Sequence, residues 1–425
     1  MHLEENASAF IAPRASSCLA DLSHTADVGQ ALMPFPADPI AAVLHPDPYP
    51  YYSDRAARMP IYRDEALRLW ISSSAAAATG VLTSDRCRVR PATEPVPEAL
   101  LGSPAAEIFH HLVRMNDDPG HCPVKQAVTR TLTSLVPTEI ARQSRLWAGF
   151  LLAEGETAPD GTELADFMFR LPTYVIATLL GVPQDQLPQI ALRIGDFVRC
   201  LAPSSDAQQI ERGKAAAGNL LDLFRRQLMA QPASDTLLGS LARELSQSGS
   251  EPVELIVGNA IGFLSQAYDA TAGLIGNTLV TLGRHPRVRE QIAADAGLIR
   301  NAVEEVLRYD PPVQNTRRFV AESGLISGKE MQTGDAILVV LAAANRDPAL
   351  NPHPEQFDLF RPDRRSVSFG SGIHACPGTA LAITIAVAGI EKLLESGIDF
   401  KQLVETVTYR HSFNTRIPAL GHNDS

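Results

Sequence analysis

The stretch Ser368-Phe369-Gly370-Ser371-Gly372-Ile373-His374-Ala375-Cys376-Pro377-Gly378 decides the reading of this chain. Glycines on both sides of one cysteine let the backbone turn sharply and approach a flat ligand closely. Pro377 suits the first position of a helix, where its missing N–H costs nothing. The run 379–394 that follows is apolar and helix-compatible. The expectation is a tight loop delivering Cys376 to a helix start, where backbone N–H groups and the positive end of the helix dipole lower a thiol pKa. A cysteine beside glycines is more often a small buried hydrophobe. The number of fixed positions around this one argues otherwise.

Outward from that loop the chain changes character. Helical periodicity dominates from about 75 to 310, broken by Pro/Gly clusters near 95–103, 118–123, 154–161 and 202–205. The longest predicted helix covers 252–283, with Glu254 in its first turn and His285-Pro286 beyond its end. A shorter one covers 298–309, and an exposed one 236–249 is capped by Ser234 or Asp235. Segments 316–320, 325–331 and 336–341 read as short strands, with an earlier one at 69–72. Residues 1–35 lack a period and read as a loosely ordered N-terminal arm. Residues 36–425 read as one mainly α unit with a small β-sheet subdomain.

Composition narrows the function. The 425 residues are 45% hydrophobic and 20% charged, ordinary for a globular chain with a large core. A formal charge of −11 disfavours nucleic acid as a partner. Cys18, Cys87, Cys122, Cys200 and Cys376 show no paired or zinc spacing, which suits a reducing compartment. No secretory signal and no membrane-length apolar run are visible, so a cytoplasmic protein without membrane contact is expected.

The pattern Phe-Gly-x-Gly-x-His-x-Cys-x-Gly resembles the haem-binding signature of the cytochrome P450 family, and the resemblance extends over roughly residues 45 to 420. It implies the cytochrome P450 fold and a haem b (iron protoporphyrin IX) with the Cys376 thiolate as axial ligand, Phe369 and Gly378 belonging to the same loop. Glu305-Val306-Leu307-Arg308 matches the family's E-x-x-R pair, and Arg361 its third member, a structural triad that locks the cysteine loop. His121, Lys125, Arg318 and His374 match positions that hold the haem propionates. Lys125 stands where arginine is usual and keeps the charge without the bidentate fork. Pro123 suggests that its helix starts there.

On the long helix the resemblance meets a departure. The family's distal pattern places an acid before an oxygen-activating threonine; here Gln266-Ala267-Tyr268-Asp269-Ala270-Thr271 puts Asp269 on the acid and Ala270 on the threonine. The usual hydroxyl helps deliver the protons that break the O–O bond. Without it, a substrate hydroxyl, Thr271, Tyr268 or a water near Asp269 takes that part, or the reaction itself differs. Gln266, Tyr268, Val313 and Phe413 fall in substrate-facing regions. Gln266 either meets substrate or satisfies a helix carbonyl. The resemblance implies a monomeric monooxygenase that inserts oxygen from O2 into a small, largely apolar substrate of secondary metabolism. Electrons come from a separate ferredoxin or flavodoxin and its reductase. The alternatives are a haem-thiolate enzyme of altered chemistry (peroxide-driven, rearrangement, dehydration or coupling) and a non-catalytic haem or ligand binder.

Overall fold

The long helix is the spine of the fold. In the computed structural model it runs Val253–Arg284, with Glu254 in the first turn and Arg284 in the last, each complementing the helix dipole. Residues 34–91, 93–117, 121–153, 161–230, 233, 235–248, 253–405 and 407–420 are described. The predicted arm falls outside them up to residue 33, as do the expected helix start at Pro252 and the cap candidate Ser234. Residues 36–425 form one compact unit. Around the spine pack the helices Pro104–His111, Gly161–Leu179, Leu187–Cys200, Ala207–Met229, Leu298–Tyr309 and Thr379–Glu395. The spine is buried over Ile256 to Ser265 and again over Thr271 to Leu282, but each residue from Gln266 to Ala270 is at least partly accessible. That window fixes where chemistry can reach the helix.

Local signals explain most boundaries. Asp206 and Gln209 form a reciprocal capping box that starts Ala207–Met229, with distances of 2.7 and 3.2 Å. Leu298–Tyr309 ends where Asp310-Pro311-Pro312 forbids helix. Four expectations are corrected. The exposed helix is Leu237–Gln247, capped by Thr236, and its leucines 237, 238, 241 and 245 are buried. Segment 325–331 is a hairpin of Gly324–Ile326 and Lys329–Met331, because Ser327 and Gly328 both take positive φ and turn the chain. The strand expected over 336–341 stops at Val339, and Leu341–Asn345 is helical. The helix around Pro123 starts earlier, spanning His121–Thr133; proline is tolerated in a first turn, where no N–H partner is required.

Five strands form the main sheet in the spatial order Ile61–Asp64, Leu69–Ser72, Ala336–Val339, Thr316–Val320 and Cys87–Arg88. Leu69–Ser72 runs parallel to Ala336–Val339, with Trp70 opposite Ile337. The sheet therefore joins the first hundred residues to the last hundred and has its own apolar layer of Ile61, Val81, Ile337 and Val339.

Candidate active site

Gly370 and Gly372 sit at φ of +71° and +70°, a region that side chains beyond glycine occupy only with strain. A Cβ on Gly372 would lie 3.1 Å from the Leu82 carbonyl oxygen. The turn closes when the Cys376 amide donates to the Phe369 carbonyl at 2.8 Å. The helix that follows begins at Thr379 with Gly378 as its N-cap, so Pro377 lies before the cap, two residues from the predicted helical position. Cys376 keeps accessible surface, yet burial pushes its thiol above the ordinary 9.0 despite the Gly378 amide, Lys125 and Arg114, which act to lower it. The lowered pKa expected from helix dipole and loop amides is thus reversed, because desolvation outweighs them. A thiol in that state becomes a thiolate when a metal takes the place of its proton.

Beneath the loop lies a network of buried charge. Glu305, fully buried, accepts from Arg308 at 2.7 Å, from Arg361 at 3.0 Å and from the Asp358 amide at 3.2 Å. Arg364, which the sequence reading passed over, binds its other oxygen at 2.9 Å and reaches Glu304 at 3.2 Å. Burial acts to raise the Glu305 carboxyl, but the arginines overcome it and hold it below its ordinary value. The arginines also pin the chain leading to the cysteine: Arg308 donates to the Pro354 and Gln356 carbonyls, Arg361 to those of Pro352 and Gln356. Asn345, also unforeseen, ties the Leu307 carbonyl (3.1 Å) to Ser368 Oγ (2.7 Å) and accepts from the Val367 amide (2.8 Å).

The residues that matched propionate positions gather beside the loop. His374 Nε2 pairs with Asp117 at 2.7 Å, and its ring centroid lies 4.6 Å from that of buried His121. Arg318 is buried on the strand Thr316–Val320 and is acted on by Asp117. Lys125 points at the loop itself, donating to the Ala375 carbonyl at 2.7 Å. His374 Nδ1 is buried without a hydrogen-bond partner among the described residues. A soft sulfur ligand in a glycine-rich turn and a buried imidazole nitrogen left without a partner fit a haem with its two carboxylates.

The accessible window of the long helix carries the residues that matched the distal pattern. Burial raises the Asp269 carboxyl above its ordinary 3.8, opposed by Arg410, Arg199 and Arg114. Ala270 is partly accessible. Thr271 is fully buried, with a hydroxyl that has no partner among the described residues. Gln266 donates to the Gly262 carbonyl at 2.9 Å, so its amide satisfies the helix. Tyr268 packs on Phe169 with ring centroids 4.8 Å apart. Val313 bridges to Thr415, and the Phe413 carbonyl accepts from Asn315 at 2.9 Å, which places both at the C-terminal turn. Arg114, Arg199 and Arg410 were missed because no short motif marks them; only the fold brings them to one acid.

Comparison with known proteins agrees with this geometry. The family model described as Cytochrome P450 matches residues 249–396. The chain is 31% identical to cytochrome P450 monooxygenase PikC of Streptomyces venezuelae over 82% of this chain and 83% of that one. It is 30% identical to 6-deoxyerythronolide B hydroxylase of Saccharopolyspora erythraea over 71% and 74% respectively. Among solved structures, P450BioI in complex with hexadec-9Z-enoic acid ligated acyl carrier protein superposes with a TM-score of 0.74 at 25% identity, covering 88% of this chain and 96% of that one. CalO2 gives 0.75 at 25% identity over 90% and 96%.

Proposed function

The chain belongs to the cytochrome P450 family as a monooxygenase, and on that premise we propose how its own residues run the reaction. The carrying observation is the Cys376 loop, closed by its own backbone and clamped through Glu305 and Asn345. Cys376 would ligate the iron; His121, His374 and Arg318 would meet the propionates; Lys125 would hold the loop carbonyl beside the sulfur. When bound, the haem supplies activation of O2 by two electrons taken singly from a ferredoxin or flavodoxin with its reductase.

The protein's part is orientation, water exclusion and proton movement. Asp269 holds a proton more readily than an exposed aspartate does, and it lies in the accessible window of the long helix. Ala270 offers no hydroxyl and the Thr271 hydroxyl is buried, so in this reading protons pass from Asp269 by a water or by a substrate hydroxyl. The substrate is a small, largely apolar molecule of secondary metabolism, in keeping with the named relatives. The enzyme acts as a cytoplasmic monomer; among the described residues no helix is long and apolar enough to cross a membrane. Turnover with ferredoxin, reductase and 18O-labelled O2 tests the reading: one labelled oxygen enters the product. Label-free product formed with peroxide alone would instead select the altered chemistry that Ala270 also motivates.

A further inference from the structure

Three guanidinium groups from separate parts of the chain converge on the distal side of the long helix. Arg114 follows a segment fixed to that helix: the Val113 amide donates to Asn259 Oδ1 at 3.0 Å, and a Cβ on Gly262 would lie 2.9 Å from Leu112 Cδ2. Arg199 lies beside Tyr268, both against Gly195, where an added Cβ would stand 3.3 Å from Arg199 Nη1 and 2.7 Å from the Tyr268 hydroxyl. Arg410 lies over the Phe169 ring, 4.8 Å from its centroid, and Phe169 in turn packs on Tyr268. All three arginines act on Asp269.

The acids facing them are fewer. Arg199 is already paired with Asp196 at 2.7 Å, and Arg212 approaches the same carboxylate at 4.0 Å. Arg114 faces Asp269 and the Cys376 sulfur, Arg410 faces Asp269 and the Tyr268 hydroxyl, and neither guanidinium donates a hydrogen bond to a described residue. The Arg114 Nε is buried without a partner among the described residues; a buried donor left unpaired is costly until an acceptor joins it, and a guanidinium suits a carboxylate in two-point contact.

We propose that the substrate carries a carboxylate, held by Arg114 and Arg410 beside Asp269, with its apolar body against Phe169 and Tyr268. This rests on the monooxygenase reading above and adds the substrate's chemical class. The anchored head sets which carbon of the body faces the reactive centre, so these two arginines determine regiospecificity as well as affinity.

The test titrates the haem-loaded protein with decanoate and with 3-phenylpropionate, each against its primary amide, by calorimetry and by the Soret shift. An acid binds at least tenfold more tightly than its amide. Arg114→Gln and Arg410→Gln each cut that preference at least fivefold, whereas Arg410→Lys keeps most of it. Thermal melts and haem content report whether each variant is folded and loaded. Amides that match their acids, acids that do not bind, or a preference unchanged in both glutamine variants would overturn the proposal. Loss of haem from Arg114→Gln with the acid preference intact would assign Arg114 to a propionate and remove it from the anion site. The reduced carbon-monoxide spectrum of each sample keeps the two readings apart: thiolate ligation without an acid preference sinks only the substrate class.

Discussion

Single residues on the long helix carry the sharpest mechanistic consequences. Asp269 is the acid within the accessible window, so Asp269→Asn should lower kcat by about 10²-fold or more with little change in substrate affinity, measured by steady-state turnover and the Soret titration. In the proposed reading, Ala270→Thr supplies the hydroxyl that the resemblance expects at this position. The share of electrons that ends in product should rise, read as product formed per NADPH consumed; an unchanged ratio and product would strip the alanine of mechanistic meaning. That Asp269 and Ala270 share one helix was legible, because the helical pattern of 252–283 runs through both. The burial of Thr271 was not, since it depends on which neighbours cover that face.

At the scale of elements, the loop and the helix beneath it stand or fall together. Glu305→Gln removes the charge that three arginines share, and it should cost about 3–5 kcal/mol in chemical denaturation. The pH dependence follows from the direction of the Glu305 shift. Its folded pKa lies below the ordinary 4.5, so the unfolded chain binds the proton first as pH falls. The contribution is complete above that value and disappears as pH drops through the folded pKa. Melting temperature should therefore fall on acidification below about pH 4.5, and Glu305→Gln should flatten that fall. Gly372→Ala places a side chain at φ +70° and should cost about 1–3 kcal/mol, visible as earlier loss of haem on heating. The cysteine loop and the Glu305, Arg308 and Arg361 set could be read from sequence because their motifs are short and chemically constrained. Arg364 and Asn345 could not: each is a common polar residue whose role appears only when two distant segments meet.

Across the whole molecule, the two ends of the described unit are tied by a pair with no local signature. Arg416 binds Asp310 at 3.1 Å and donates to the carbonyls of Val43 (2.9 Å), His45 (2.7 Å) and Pro46 (3.0 Å). Arg416→Met leaves Asp310 buried without its cation and should destabilise the protein by about 3–5 kcal/mol in urea unfolding. The α-rich architecture with its small sheet was visible in the shift from helical to strand patterning after residue 310. The joining of strand Leu69–Ser72 to Ala336–Val339 was not, because pairing across such a separation leaves no trace in local periodicity.

All of these levels meet at the Cys376 sulfur. The most direct test is the reduced carbon-monoxide difference spectrum of the purified, haem-loaded protein beside its Cys376→Ala variant. The wild type should give the red-shifted Soret band of a thiolate-ligated haem, and the variant should lose it. A folded wild type that binds no haem, or a spectrum left unchanged by the substitution, would contradict the account.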